Sequence, residues 1–395
     1  MRNFAPFLLV VIGAAVLLRV DFFFTVVYFL VGIYILVRVW TRRTAERLRI
    51  RREFVDRAFT GDQVEVRYSV RNLGWLPVPW LEVHESVPLP LQSAPFGTYA
   101  VSLGPRETWR ASYTLSCRRR GYYSLGPLSI TTGDLLGIER RTLLRVSPER
   151  MLVYPRIVSL HELGIPARSP LVVLPARSPL FEDPSRLMGV RDYRRGDSPR
   201  RIHWRATART GQLVVKQYQP AIARETLLCL DMSQTGYDPR RLYEATELAI
   251  TVAASLANHI VVREGLPVGL ATEALDPLHE GARRILVPPR SERSHLMTGI
   301  LETLARVQVV DEAPLAELLR AESVRLSWGA TIVVITGRES EELYDTLVFL
   351  RRGGFSITVV LVHPQPASIA LQGRLESLGV AVHRVRTERE LETWT

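Results

Sequence analysis

Two apolar runs open the chain, residues 4–18 and 22–37, parted by Arg19, Val20 and Asp21. At about 1.5 Å per residue each run, wound as a helix, covers about 22–24 Å, a little short of a hydrocarbon core of about 30 Å. Arg2, Arg19 and Arg38 stand where their long stems can snorkel and make up the difference. A single helix through both runs would be about 50 Å long and would bury Arg19 and Asp21 near its middle, at about 2.5–3.5 kcal/mol for each charge. The pattern therefore predicts a two-helix transmembrane hairpin over residues 1–40, turning at 19–21. A cleaved signal peptide is the alternative, but neither run is followed by a small-x-small site.

Beyond a basic stretch at 41–52, taken as a juxtamembrane linker, the period falls to two. Val64, Val66, Tyr68 and Val70 alternate with polar residues, as do Trp109, Ala111, Tyr113 and Leu115. Turn signals recur at Gly61-Asp62, Gly104-Pro105, Gly126-Pro127 and Gly133-Asp134. Half a dozen short strands over 53–157 predict an antiparallel β-sandwich of immunoglobulin-like size. Residues 158–188 carry Pro-Ala-Arg-Ser-Pro-Leu at 166–171 and again at 175–180. Two copies make no solenoid, and proline removes backbone donors, so an extended connector is expected.

An arginine-rich segment, 189–223, leads into a β/α pattern over 224–390. Strands are expected at 226–230, 268–271, 285–287, 331–335, 357–362 and 380–385. Helices are expected at 242–262, 295–307, 315–325, 341–352 and 369–378. Strands alternating with helices predict a doubly wound, mostly parallel, Rossmann-like sheet covered on both faces. Ligands of such sheets bind beyond the carboxyl ends of the strands, which directs attention to the residues after Leu230 and Ile335. The whole is a multidomain membrane protein.

Composition adds orientation and removes several chemistries. The net charge is +11 and the excess is arginine, because Lys216 is the only lysine. A bias that complete points to genome composition rather than to nucleic acid. Arg38, Arg42, Arg43, Arg47, Arg49, Arg51 and Arg52 follow the second apolar run, so the positive-inside rule places that end, and the body behind it, in the cytoplasm. The same arginines offer attraction to anionic membrane lipid. Cys117 and Cys229 lie far apart and read as reduced core thiols. The histidines are scattered without metal-ligand spacing, and the P-loop pattern G-x-x-x-x-G-K-[ST] is missing. Gly196-Asp197-Ser198 and Asp276-x-x-His279 imitate fragments of hydrolase motifs. Ser198, however, precedes a proline at an expected helix start rather than ending a strand, and Asp276 lies in a turn. No enzymatic activity is expected.

Two constellations remain. Asp231, Ser233 and Thr235 follow the 226–230 strand with oxygen ligands at i, i+2 and i+4, as a hard cation such as Mg requires. They resemble the D-x-S-x-S metal-ion-dependent adhesion site of von Willebrand factor A domains. Where that fold usually offers a carboxylate after its fourth strand, this chain has Thr336-Gly337-Arg338, and the arginine works against a cation. The alternative is that Asp231 and Ser233 cap the following turn. No cofactor is otherwise expected. The second constellation is Arg191, Tyr193, Asp197, Arg200, Arg201, Trp204 and Arg209, with Asp197-Ser198-Pro199 as a helix start and Gly211 as its end. It suits a protein-partner or anion surface, since arginine pairs bidentately with phosphate; an internal ion-pair network through Asp192 and Asp197 is the alternative. Tyr193 and Trp204 alone are poor interleaving for nucleic-acid stacking.

This second segment also resembles the signature of the domain of unknown function 58 family, roughly G-x-R-x-Y-x-x-G-D-x-x-R-x-I-x-W-x-x-x-A-R. It matches at Arg191, Tyr193, Gly196, Asp197, Arg200, Ile202, Trp204, Ala208 and Arg209, with Asp192 and His203 as mild departures. Arg119-Arg120-Gly121-Tyr122 and the run from Gly133 to Ile138 resemble its sandwich region. The resemblance implies a bacterial plasma-membrane, multi-pass protein with a von Willebrand factor A-like carboxyl domain. It further implies an adaptor working with a MoxR-type AAA+ ATPase and transglutaminase-like membrane proteins. It assigns no reaction.

Overall fold

The computed structural model describes residues 10, 12–13, 21–93, 99–134, 140–160, 182–193, 202–220, 225–338, 340–364 and 369–392. The chain divides into two compact units, Met1–Arg156 with Leu304–Arg306, and Ile157–Thr303 with Val307–Thr395.

In the first unit the apolar run at 22–37 forms the amino-terminal part of a helix, α1 (Asp21–Arg47), with Phe22, Tyr28, Phe29, Ile35 and Leu36 exposed. The partner span at 4–18 falls outside the described residues apart from Val10, Ile12 and Gly13. The basic stretch at 41–52 is not a linker. The helix continues through Arg47, and Leu48 opens strand β1 (Leu48–Glu53) directly. Thr41, Thr44 and Ala45 are buried and Trp40 Nε1 donates to Pro77 O at 3.1 Å, so protein packing holds the last turns helical.

The strands that follow are β2 (Arg57–Phe59), β3 (Gln63–Asn72), β4 (Val78–Glu85), β5 (Tyr99–Leu103) and β6 (Thr108–Ser116). Then come β7 (Gly121–Leu125), β8 (Leu128–Gly133), β9 (Arg140–Val146) and β10 (Glu149–Tyr154). They form sheets ordered β1-β3-β6, β2-β10-β7 and β5-β4-β8-β9. The period of two is visible in β3, where Val64, Val66, Tyr68 and Val70 point inward. Tyr68 and Val70 meet Leu81, Val83 and Ile130 in one core, while Val64 and Val66 meet Leu125, Met151 and Val153 in another.

The second unit begins with a hairpin, β11 (Glu182–Asp192) against β12 (Val214–Pro220), enclosing the short helix α2 (Trp204–Thr210). Residues 182–188 are therefore strand rather than connector. Pro184, which has no N–H to give, falls where the register shifts between Asp183 and Leu187. The connector's repeated hexapeptide lies outside the described residues.

Next come β13 (Thr226–Leu230), α3 (Leu242–Asn258, continued by a π-helical turn His259–Arg263), β14 (Val268–Leu275) and β15 (Ala282–Arg290). A helix follows whose consecutive parts are Arg293–His295, a π-helical Leu296–Leu301 and Glu302–Arg306; together they are α4. The unit ends with α5 (Leu315–Ser323), β16 (Thr331–Thr336), α6 (Glu341–Arg352), β17 (Ser356–Val362), α7 (Ile369–Ser377), β18 (Ala381–Val385) and α8 (Glu388–Glu392). The sheet runs β15-β14-β13-β16-β17-β18, parallel throughout except for the edge strand β15. Leu227, Cys229, Ile332, Val334, Ile357 and Val359 face one side and pack on Leu318 and Leu319 of α5 and on Leu347 and Leu350 of α6. The helix α3 covers the other side; it is long and apolar enough to cross a membrane but is mostly buried, as a core helix. Burial pushes the Cys117 thiol up to about 11 and that of Cys229 higher still, so both are poor nucleophiles.

Candidate functional site

The strand order reverses direction between β13 and β16, the two central neighbours, so their carboxyl ends flank the switch point at which such sheets bind ligands. Asp231 follows β13 and is 2% exposed. Its Oδ1 accepts from Ser233 N at 3.0 Å and its Oδ2 from the Thr336 hydroxyl, at the end of β16, at 2.7 Å. Thr336 Oγ1 also accepts from Arg338 N at 2.9 Å, so the hydroxyl that joins the two loops through Asp231 also fixes the start of its own. The Ser233 and Thr235 hydroxyls are 2.7 Å apart. The Arg338 guanidinium donates through one nitrogen, Nη2, to both, at 3.2 Å to Ser233 and more closely to Thr235.

Two glycines make that closeness possible. A Cβ on Gly236 would stand 2.5 Å from Asp231 Oδ2, and one on Gly337 would stand 2.6 Å from the Tyr237 ring. Tyr237 is itself buried and donates its hydroxyl to the Asp231 carbonyl at 2.7 Å. A third segment completes the wall: Gln234 N donates to Val310 O at 2.8 Å, and Gln234 Nε2 to Asp311 Oδ1 at 2.9 Å.

Burial raises the Asp231 pKa, opposed by the hydrogen bonds from Thr336 and Ser233 N and by the positive charge of Arg338. The Tyr237 hydroxyl is held well above its ordinary range, by burial first and then by the Asp231 charge. At its centre the Asp231 carboxylate, the Ser233, Thr235 and Thr336 hydroxyls and the Arg338 guanidinium are already bonded to one another, with Tyr237 and Asp311 at the wall.

The expected adhesion-site triad, Asp231, Ser233 and Thr235, is brought together, but the set does not fit a divalent cation. Mg demands near-octahedral oxygen ligands and Ca takes six to eight. Here both Asp231 oxygens accept protein hydrogen bonds and the two hydroxyls accept from Arg338. Among the described residues no three His, Cys, Asp or Glu side chains cluster as a metal site. A guanidinium and a dication about 4 Å apart would also repel by roughly 8 kcal/mol at an effective dielectric of about 20. The turn-organising role of Asp231 is the one the geometry supports, with Oδ1 capping the Ser233 amide. Sequence reasoning found Arg338 as a replacement for a carboxylate, yet missed Thr336, Tyr237 and Asp311 as members of the site. The last of these carries no local signal, because its segment reaches the loop only through tertiary pairing.

The arginine segment is described in part. Arg191 lies exposed on β11, opposite Val215, and Tyr193 N donates to Leu213 O at 2.9 Å. The helix α2 starts at Trp204 with His203 as its cap, whose Nδ1 accepts from Ala206 N at 3.1 Å, and Gly211 closes it in a left-handed conformation. The expected start at Asp197-Ser198-Pro199 lies outside the described residues, as do Arg200 and Arg201. Trp204, Arg205 and Arg209 are exposed on α2. Asp276 acts as a turn residue, accepting from Leu278 N at 3.1 Å.

The family model described as "Protein of unknown function DUF58" matches residues 189–392. The uncharacterized protein YeaD of Bacillus subtilis (strain 168) is 24% identical over 330 residues, which is 78% of this chain and 74% of that protein. Among solved structures, a von Willebrand factor type A protein from Catenulispora acidiphila aligns over 46% of this chain and 42% of its own, at 14% identity and a TM-score of 0.32. The CARDB domain of a Pyrococcus furiosus protein covers 27% of this chain and 91% of its own, at 20% identity and a TM-score of 0.21. The strand order of the second unit, rather than either likeness, carries its von Willebrand factor A-like description.

Proposed function

Since the chain belongs to the DUF58 family, whose members share a signature without an assigned reaction, we propose that it is a membrane-anchored, non-enzymatic adaptor. Its second unit would bind a protein partner, a MoxR-type AAA+ ATPase being the class that the family resemblance suggests, with a transglutaminase-like membrane protein as a further member of the assembly. The observation that carries this reading is the state of the switch point. Asp231, Ser233, Thr235, Thr336 and Arg338 are bonded to one another, which makes a fixed, largely buried polar cluster beneath the exposed Gln234 and Thr235 rather than a set of groups poised to move a proton. The exposed apolar part of α1 supports anchoring, with the described side chains of the adjoining immunoglobulin-like sandwich serving as spacer or docking face.

The test is purification of the full-length chain from its native membrane in gentle detergent, with and without ATP, followed by mass spectrometry. Enrichment of an AAA+ ATPase that changes with nucleotide is expected; recovery of the chain alone in both conditions would overturn the adaptor reading. A second reading, anion binding, is favoured by one observation, the exposure of Arg205, Arg209 and Trp204 on α2. Binding to a phosphate polymer that weakens steeply with salt would support it over the first.

A further inference from the structure

We propose that the Arg338 guanidinium is the resident cation of the Asp231 loop. It takes the place that a divalent metal has in adhesion sites of this fold, so the loop is complete, and engages its partner, without metal. The clause about the partner rests on the adaptor reading; the clause about the metal does not.

Four observations converge on it. First, one guanidinium nitrogen, Nη2, lies against both Ser233 Oγ and Thr235 Oγ1, the two hydroxyls that a D-x-S-x-S loop offers to a cation. With those hydroxyls only 2.7 Å apart, a single positive donor shared between them satisfies both, as a bound ion would. Second, the arginine is held at both ends. Its main-chain N–H is fixed on Thr336 Oγ1 at 2.9 Å, the hydroxyl that itself donates to Asp231. Third, Arg338 Nε is buried and makes no hydrogen bond. An arginine that merely lay on the surface would keep that donor in water. Giving it up marks a side chain drawn inward, toward the carboxylate and hydroxyls. Fourth, the carboxylate that balances the charge is fixed by protein donors on both oxygens, Asp231 Oδ1 by Ser233 N and Oδ2 by the Thr336 hydroxyl.

A hard cation gains little by displacing this arrangement. It would have to break both bonds to Nη2 while the positive charge stayed tethered two residues from Thr336. The substitution also changes what the loop senses. A metal-filled loop empties when the ion is chelated, whereas a covalently tethered cation is always present and leaves the site indifferent to the divalent-ion concentration.

The experiment is a Mn²⁺ titration of the full-length chain in gentle detergent, read by electron paramagnetic resonance of the free ion and by the thermal unfolding midpoint. The wild type is expected to take up no stoichiometric Mn²⁺ into this loop, and its midpoint should be the same in Mn²⁺ and in EDTA. Arg338→Asp removes the tethered charge and supplies a carboxylate, so it should gain one Mn²⁺ per chain with at least tenfold higher affinity, and Mn²⁺ should raise its midpoint. Arg338→Ser, less burdened by two neighbouring carboxylates, is the second variant and should gain weaker binding. One Mn²⁺ per wild-type chain, lost in Asp231→Asn, would overturn the proposal whether or not either arginine variant folds. Folded Arg338→Asp and Arg338→Ser chains that both ignore Mn²⁺ would overturn it too. Where ATPase co-purification is found, its persistence in EDTA bears on the partner clause. Failure of co-purification leaves the metal titration to decide the rest.

Discussion

Arg52 stands on the inward face of β1, in line with Leu48 and Ile50, and its side chain is fully buried. Its Nη1 pairs with the equally buried Glu85 and also donates to Leu125 O at 3.2 Å, while Nη2 reaches Ser147 O at 3.1 Å and Glu149 at 3.0 Å. Tyr113 donates its hydroxyl to the other Glu85 oxygen at 2.6 Å, and burial, then Glu85, pushes the Tyr113 pKa far up. Such a pair contributes little net stability as a whole, yet removing one member strands the other charge away from water. Glu85→Ala should therefore lower the stability of the first unit by about 3–5 kcal/mol, read as a drop in its thermal transition in the full-length chain. Adding Arg52→Met should recover part of that loss, because the buried guanidinium no longer depends on the half-exposed Glu149 alone. A Glu85→Ala chain with an unchanged transition would show that the network is ornamental. This residue also marks a limit of sequence reading. Arg52 stands with the basic residues expected to face lipid; the alternation Leu48, Ile50, Arg52 turns it inward only once the stretch is read as strand rather than linker, which its pairing with Tyr68 of β3 establishes. The Asp231-Ser233-Thr235 set was legible because all three lie within five residues. Its bond to Arg338 was not, because it joins residues more than a hundred positions apart.

The order and type of the elements over 224–385 were legible, since buried strands punctuated by amphipathic helices give two separate periods to read, whereas the bounds of β14 and β15 and the hairpin strand β11 were not. Strand β13 and helix α6 fall on the expected bounds, whereas β15 proves longer than expected and antiparallel. Its direction is set by tertiary pairing, which no local pattern encodes. Helix α1 illustrates the opposite case. Its 27 residues make about 40 Å of helix, more than a bilayer core needs, and only the first part is apolar. The rest, Thr41 to Arg47, has no apolar stripe and looked like linker; an Arg42–Glu46 pair at 3.1 Å and the burial of Thr41, Thr44 and Ala45 keep it wound. If the exposed stretch is the anchor, one charge near its middle should weaken insertion without touching the packed end. Phe29 is 67% exposed, and Phe29→Asp should cost about 2.5–3.5 kcal/mol of insertion. The variant should move from the carbonate-resistant membrane fraction into the extract, while Ala at the same position should stay.

At the scale of the molecule, orientation decides whether an ATPase in the cytoplasm can reach the second unit at all. Arg38, Arg42, Arg43, Arg47, Arg49 and Arg51 follow the apolar stretch even after the buried Arg52 is removed from the tally, against Glu46 and Glu53. Arg49 and Arg51 lie on the outward face of β1, and the asymmetry is strong enough for the positive-inside rule to act on it. Exposed arginines, the preferred targets of trypsin, occur in both units, Arg118 and Arg119 in the first and Arg290 and Arg293 in the second among them, so accessibility can be read directly. Trypsin added to intact spheroplasts should leave the chain beyond α1 whole, and trypsin added after permeabilisation should digest it. Digestion in intact spheroplasts would place both units outside the cell, where ATP and an AAA+ partner are missing. The second unit would then have to serve an extracellular ligand, and the adaptor reading would fall while the arginine-filled loop would stand.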